Sequence, residues 1–184
     1  MIETERLILR SPSTADAAAL LDYAARNKAH LAPWEPSRSD AYYTLAHWQR
    51  LLADQEAEIT RGTATRFLIF QHQAPDRVIG TVNFSQIFRG PFLACYLGYG
   101  LDGEAEGKGL MFEGVQAGIT HMFETVGLHR IMANYVPTNE RSGRLLRRLG
   151  FAVEGYARDY LYINGAWRDH IMTALNNPQP VMPA

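Results

Sequence analysis

The sequence predicts a single mixed α/β domain whose sheet is antiparallel early and reached by helical crossovers later. Two observations carry this. The elements read strand, two helices, three strand-like runs, helix, strand, helix and two strands, with no internal repeat and no linker. The composition, 47% hydrophobic and 20% charged over 184 residues, suits one well-cored domain.

Each element follows from local pattern. Leu7-Ile8-Leu9-Arg10 is a strand ended by Ser11-Pro12, and Thr14-Ala15-Asp16 opens an alanine- and leucine-rich helix reaching about Lys28. Pro33-Trp34-Glu35-Pro36 breaks the chain, because proline disfavours helix at itself and at the residue before. Leu45, Trp48, Leu52 and Ile59 place a second helix from about Tyr43 to Ile59. Arg66 to His72, Val78 to Ser85 and Ala94 to Tyr99 are strand-like and separated by turn residues. Met111, Val115, Ile119, Met122 and Val126 stripe one face of the main helix. A strand at His129 to Val136, a helix at Glu140 to Leu149 and a strand at Phe151 to Tyr162 follow. Asn164-Gly165 is a hairpin signal leading to a last strand from Trp167 to about Ala174. The domain spans 1–176, with a frayed tail expected over 177–184.

Several classes are disfavoured. A net charge of −1 gives no global attraction to nucleic acid or an anionic membrane, and the apolar runs are too short to span a bilayer. The charged start Met1 to Arg6 does not read as a signal peptide. A lone cysteine, Cys95, closes no internal disulfide and builds no metal site, which fits a reducing cytoplasm.

The chemistry centres on Glu104-Ala-Glu-Gly-Lys-Gly109, a glycine turn tipping into the main helix. A phosphate-binding P-loop is excluded, since Gly103 to Gly107 is one residue short and Gly109 stands where a hydroxyl is needed. The glycine spacing is also wrong for a dinucleotide fingerprint. Two readings stay open: a pyrophosphate held on bare amides at a helix start, or glycines that only permit a tight turn. Gly98 and Gly100 interrupt a good strand, the mark of a bulge or of a close approach to the backbone. Asn139 and Ser142 share the first turn of a helix, where Asn139 also suits a plain N-cap.

Together, Gly107-Lys-Gly109, Asn139-x-x-Ser142 and Leu149-Gly-Phe151 resemble the GNAT superfamily of acetyl-CoA-dependent N-acetyltransferases. Ala94-Cys-Tyr-Leu-Gly-Tyr99, His129-Arg-Ile-Met-Ala-Asn-Tyr135 and Trp167-Arg-Asp-His170, among others, are similar to the RimJ-type ribosomal-protein-alanine branch, from about Thr4 to Asn176. The resemblance implies the GNAT fold: a twisted, mostly antiparallel central sheet with a splayed strand pair, flanked by about four helices. It implies acetyl-CoA as cofactor and no metal. Tyr96, Leu97 and Gly98 would pair with the pantetheine arm, and Glu106, Gly107, Lys108, Gly109 and Leu110 would wrap the pyrophosphate. Asn139 and Ser142 would stand by the acetyl end, with Ser142 a proton donor to the departing thiol. Glu104 occupies a place where the superfamily has Gln or Arg, and is expected to face solvent.

The implied activity is N-α-acetylation of an N-terminal alanine, or a similarly small residue, of a ribosomal protein by direct amine attack on the thioester. An α-amine of pKa ~7.8 is about a tenth neutral at pH 7, so it asks little of a base. Glu35, acting through water, is the preferred carboxylate, and a surface glutamate is the plainer reading of it. His30, Trp34, Glu35 and Tyr160 are the expected acceptor contacts. Arg141, Arg144, Arg147 and Arg148 form a basic helix, either a solvated face or a contact for the cofactor's ribose phosphate. Glu113 is expected to be structural. The partner is a ribosomal protein N-terminus, extending to the ribosome itself, with no sequence-specific nucleic acid binding and no membrane. The rival readings are a small-molecule amine acetyltransferase and a non-catalytic CoA-binding or ribosome-assembly module.

Overall fold

The run Phe67-Leu68-Ile69-Phe70 is apolar without alternation, which requires a strand covered on both faces. A computed structural model, describing residues 1–179 and 182, shows both covers. The strand is β3 (Thr65–Gln71), inside an eight-stranded sheet ordered β1-β2-β3-β4-β5-β6-β8-β7. The other strands are β1 (Ile2–Glu3), β2 (Leu7–Arg10), β4 (Gly80–Phe88), β5 (Ala94–Leu101), β6 (Arg130–Tyr135), β7 (Ala152–Ile163) and β8 (Ala166–Asn176). Leu7, Leu9, Phe67, Ile69, Val82 and Phe84 pack with α4 (Leu110–Glu124) on one face. Leu68 and Phe70 pack with α1 (Ala17–Arg26) and α3 (Leu45–Thr60) on the other.

Among the described residues five α-helices flank the sheet, against about four expected. The extra one is α2 (Lys28–Leu31), a single turn separated from α1 by Asn27. The fifth is α5 (Glu140–Arg148). Of the expected tail over 177–184, residues 180, 181, 183 and 184 lie outside the described residues.

All neighbouring strands run antiparallel except β5 and β6, which pair in parallel only over Ala94–Tyr96 and Arg130–Met132. Beyond Tyr96 the two strands have no pairing with each other, although β5 stays on β4 to Leu101 and β6 stays on β8 to Tyr135. The sheet therefore splits along one seam. The bulge expected at Gly98 to Gly100 falls instead on the neighbour, where β4 slips register between Ser85 and Phe88 and Gln86 takes φ 51°. Gly100 answers a close approach: a methyl group on it would come within 3.1 Å of the Tyr23 hydroxyl.

A buried ionic knot ties α1 to the end of β5. Asp102, only 3% exposed, accepts from Arg26 Nε at 2.8 Å and from Arg77 Nη2 at 3.3 Å. The Asn27 side chain accepts from the Gly103 amide at 3.0 Å and donates to the Tyr23 carbonyl at 3.0 Å. Burial alone would raise the Asp102 carboxyl, yet the Arg26 guanidinium, the Glu104 amide and Arg77 together hold it below the usual carboxylate range.

Two outcomes follow from this packing. Gly118→Ala gains helix propensity but sets a methyl 2.9 Å from the buried Phe84 ring, so it lowers stability by about 1–3 kcal/mol in urea unfolding. Asp102→Asn removes the buried charge facing Arg26, which keeps Asp22 and the Val78 carbonyl as partners, and costs about 1.5–3 kcal/mol at pH 7. Because the folded Asp102 pKa lies below the unfolded value, its stabilisation is complete above the ordinary carboxylate range and is lost as pH falls through the folded value. Unfolding midpoints measured from pH 6 downward therefore fall less steeply in the variant.

Candidate active site

The glycine turn is bare on one side and clamped on the other. Asp102 caps a 3-10 turn at Gly103–Ala105, and Gly107 and Gly109 follow at φ 74° and 76°, in the left-handed region that side chains strain. Gly109 is the N-cap of α4 and no side chain caps it, so the first amides of the helix lack intrahelical partners and face a potential anion. Behind the turn, Arg6 donates to the Lys108 carbonyl at 2.8 Å and to Glu113 at 2.6 Å, while Thr4 Oγ1 donates to Glu113 at 2.6 Å. Burial pushes the Glu113 carboxyl up, but these donors and the Arg6 amide outweigh it and hold it low. Glu113 is thus a structural anchor. Lys108 folds back to donate to the Glu104 carbonyl at 2.8 Å, and Glu104 points outward to Arg77, also at 2.8 Å.

The facing wall is the start of α5. Asn139 accepts from the Ser142 amide at 3.1 Å, so the capping interaction and the placement of Ser142 are one contact. Gly143 lets α5 lie against β6, since a methyl there would meet the Tyr135 ring at 2.9 Å. Ser142 Oγ shares a 2.7 Å hydrogen bond with Tyr99 Oη. Burial pushes that phenol up to about 12, against the pull of Ser142, so Tyr99 keeps its proton at neutral pH.

The third wall is the segment after α1. Asn164, at the β7–β8 turn, donates its amide to the Glu35 carbonyl at 3.1 Å, and Arg38 reaches the Glu35 carboxylate at 3.4 Å. Across the mouth, Glu106 pairs with His30 at 3.3 Å and with Arg141.

These walls enclose a cleft of about 950 Å³. Of the sequence-predicted residues, His30, Trp34, Glu35, Glu106, Gly107, Gly109 and Leu110 line it, together with Asn139 and Ser142. Tyr96, Leu97, Gly98, Lys108 and Tyr160 do not line it. Leu97 is core, and Gly98 faces open space. The Tyr160 ring packs on His170 at 5.2 Å, and its hydroxyl accepts from Asn134 at 3.3 Å. Of the four arginines, 141, 144 and 148 line the cleft and 147 does not, as helical spacing of three and four dictates. Tyr99 went unassigned, although alternation from buried Cys95 and Leu97 already places it on the same face of β5.

Comparison with known proteins agrees with this geometry. The model of the acetyltransferase (GNAT) domain family matches residues 6–152. The chain is 48% identical over 177 residues to the ribosomal protein uS5-alanine N-acetyltransferase of Escherichia coli, covering 96% of this chain and 91% of that protein. The crystal structure of the ribosomal-protein-S5-alanine acetyltransferase from Vibrio fischeri superposes with TM-score 0.92 at 43% identity, over 97% of this chain and 98% of that one. RimJ of Mycobacterium smegmatis, solved with CoA-disulfide, superposes with TM-score 0.88 at 29% identity, over 94% and 84%. A seam opened between β5 and β6, a bare-amide turn beside it and these matches lead to one conclusion: the chain belongs to the GNAT acetyltransferase family.

Proposed function

We propose that this chain transfers an acetyl group from acetyl-CoA to the α-amine of an N-terminal alanine, or a similarly small residue, of a ribosomal protein. The observation that carries it is that the bare-amide turn, Ser142 and Glu35 open on one cleft. The likeness to the uS5-alanine enzymes names the acceptor class. A reducing cytoplasm is the compartment this reading implies.

The residues present fit the donor. The φ-positive glycines leave amides for a pyrophosphate, and the unpaired edge of β5 beyond Tyr96 leaves main-chain groups for an extended amide arm. Gly107, Gly109 and Leu110 would hold the diphosphate through their backbone, with Arg141 free to exchange Glu106 for it. Acetyl-CoA supplies an acyl group already activated as a thioester. Ser142, hydrogen-bonded to Tyr99, would hold a proton for the departing thiol, and Glu35 would accept the amine's proton through water. Orienting both partners in one cleft contributes on the order of 7–11 kcal/mol in favourable cases.

The reading is tested with purified protein, acetyl-CoA, alanine-started peptides from ribosomal proteins and a panel of small amines. Turnover on the peptides is expected, and turnover confined to polyamines or amino sugars would remove the ribosomal assignment. Ser142→Ala is expected to lower kcat by about a hundredfold, the low end for a positioned acid because a thiol of pKa ~8.5 leaves readily. Tyr99→Phe removes one supporting hydrogen bond and lowers kcat by roughly three- to tenfold. Unchanged CoA affinity by calorimetry separates both effects from cofactor binding.

A further inference from the structure

A second cavity of about 230 Å³ adjoins the cleft, and Leu31 and Glu35 line both. Its walls come from three parts of the chain: Tyr23 and Lys28 from α1 and α2, Tyr42 and Tyr43 from the segment before α3, and Asn164 from the β7–β8 turn. Tyr23 is 5% exposed, and its hydroxyl has no hydrogen-bond partner among the described residues. Burial raises that phenol far above its ordinary value, and Glu35 and Asp102 add to the effect, so the group is a permanent donor.

Three neighbouring polar side chains are already engaged. Lys28 Nζ lies over the Tyr43 ring at 4.4 Å, and the Arg38 guanidinium lies over Tyr42 at 4.5 Å while pairing with Glu35. Both ends of the Asn27 amide are bonded to the backbone. The Tyr23 hydroxyl abuts Gly100, which itself lines the cleft, so this donor stands where cavity and cleft meet. In a peptide, one α-carbon separates the terminal amine from the first carbonyl. An amine approaching past Glu35 therefore leaves its first carbonyl near this border and its second side chain beyond it.

We propose that this cavity receives the second residue of the acceptor peptide, and that the Tyr23 hydroxyl donates to the carbonyl joining the first and second residues. The proposal rests on the peptide-acceptor reading above and extends it from the reacting amine to the residue that follows. It also predicts a preference for peptides over simple amines, which lack that carbonyl and leave the donor without a partner.

The test uses the full chain, acetyl-CoA and peptides beginning Ala-Gly, Ala-Gln and Ala-Leu. Tyr23→Phe removes one oxygen, and it is expected to raise the peptide KM roughly five- to tenfold while the acetyl-CoA KM and kcat stay put. Ser37→Trp, on the exposed rim of the cavity, is expected to spare Ala-Gly peptides and to lower kcat/KM at least about tenfold for Ala-Gln and Ala-Leu peptides. A Tyr23→Phe enzyme with the wild-type peptide KM overturns the proposal, as does a Ser37→Trp enzyme with the wild-type ranking of second residues. A wild-type protein that acetylates none of the peptides overturns the peptide-acceptor reading and this subsite with it.

Discussion

A helix N-terminus left without a cap is the constraint on which the rest of this structure depends. Bare amides at the start of α4 are of use to an anion only if the turn before them is held still. The chain fixes that turn from two directions. From the N-terminal strand, Arg6 spans the Lys108 carbonyl and Glu113. From α1, Arg26 and Asn27 grip Asp102 and Gly103 just ahead of it. Neither clamp uses a group that an incoming anion would need. The glycines supply shape and the ionic contacts supply rigidity.

The split between β5 and β6 is held by other contacts. A parallel pair that stops after three residues leaves main-chain groups with no partner, an arrangement a sheet tolerates only where something else fills the gap. On the helical side Tyr99 and Ser142 fill part of it, with Gly143 letting α5 close in on Tyr135. The ends of the gap are fixed independently, β5 by its ladder to β4 and β6 by its ladder to β8. The opening is therefore a fixed feature of the sheet and not a frayed edge.

Much of this was legible in the sequence, for identifiable reasons. Of the predicted helical stripe, Met111, Val115, Ile119 and Met122 are buried as their period requires, while Val126 lies past the helix end at Glu124 and is half-buried. Gly150 takes a positive φ after α5, as a helix C-terminal glycine should. Family resemblance, and not periodicity, supplied the splay. The sequence hid whatever depended on distant partners. Asp102, Arg26 and Asn27 carry no local pattern, and their roles exist only once α1 reaches the end of β5. Tyr160 looked like a groove residue because it is aromatic and late in the chain, but it packs against His170 instead. Strand register decides such cases, and here β7 slips against β8 between Ala157 and Leu161, which no reading of alternation anticipates.

The placement of Cys95 bears on how the reaction can proceed at all. Its side chain is fully buried in the α4-side core, and burial pushes its thiol up to about 12, so it offers no thiolate at neutral pH. Ser142, which lines the cleft beside Thr138 and Tyr99, is hydrogen-bonded to a protonated phenol and not to a base that could activate it as a nucleophile. Neither side chain is set up to carry the acetyl group, which supports the proposed direct attack with donor and acceptor together in the cleft. The rate then depends chiefly on how well two molecules are aligned. That is why the residues around this cleft are for the most part clamps, caps and walls, with few reactive groups among them.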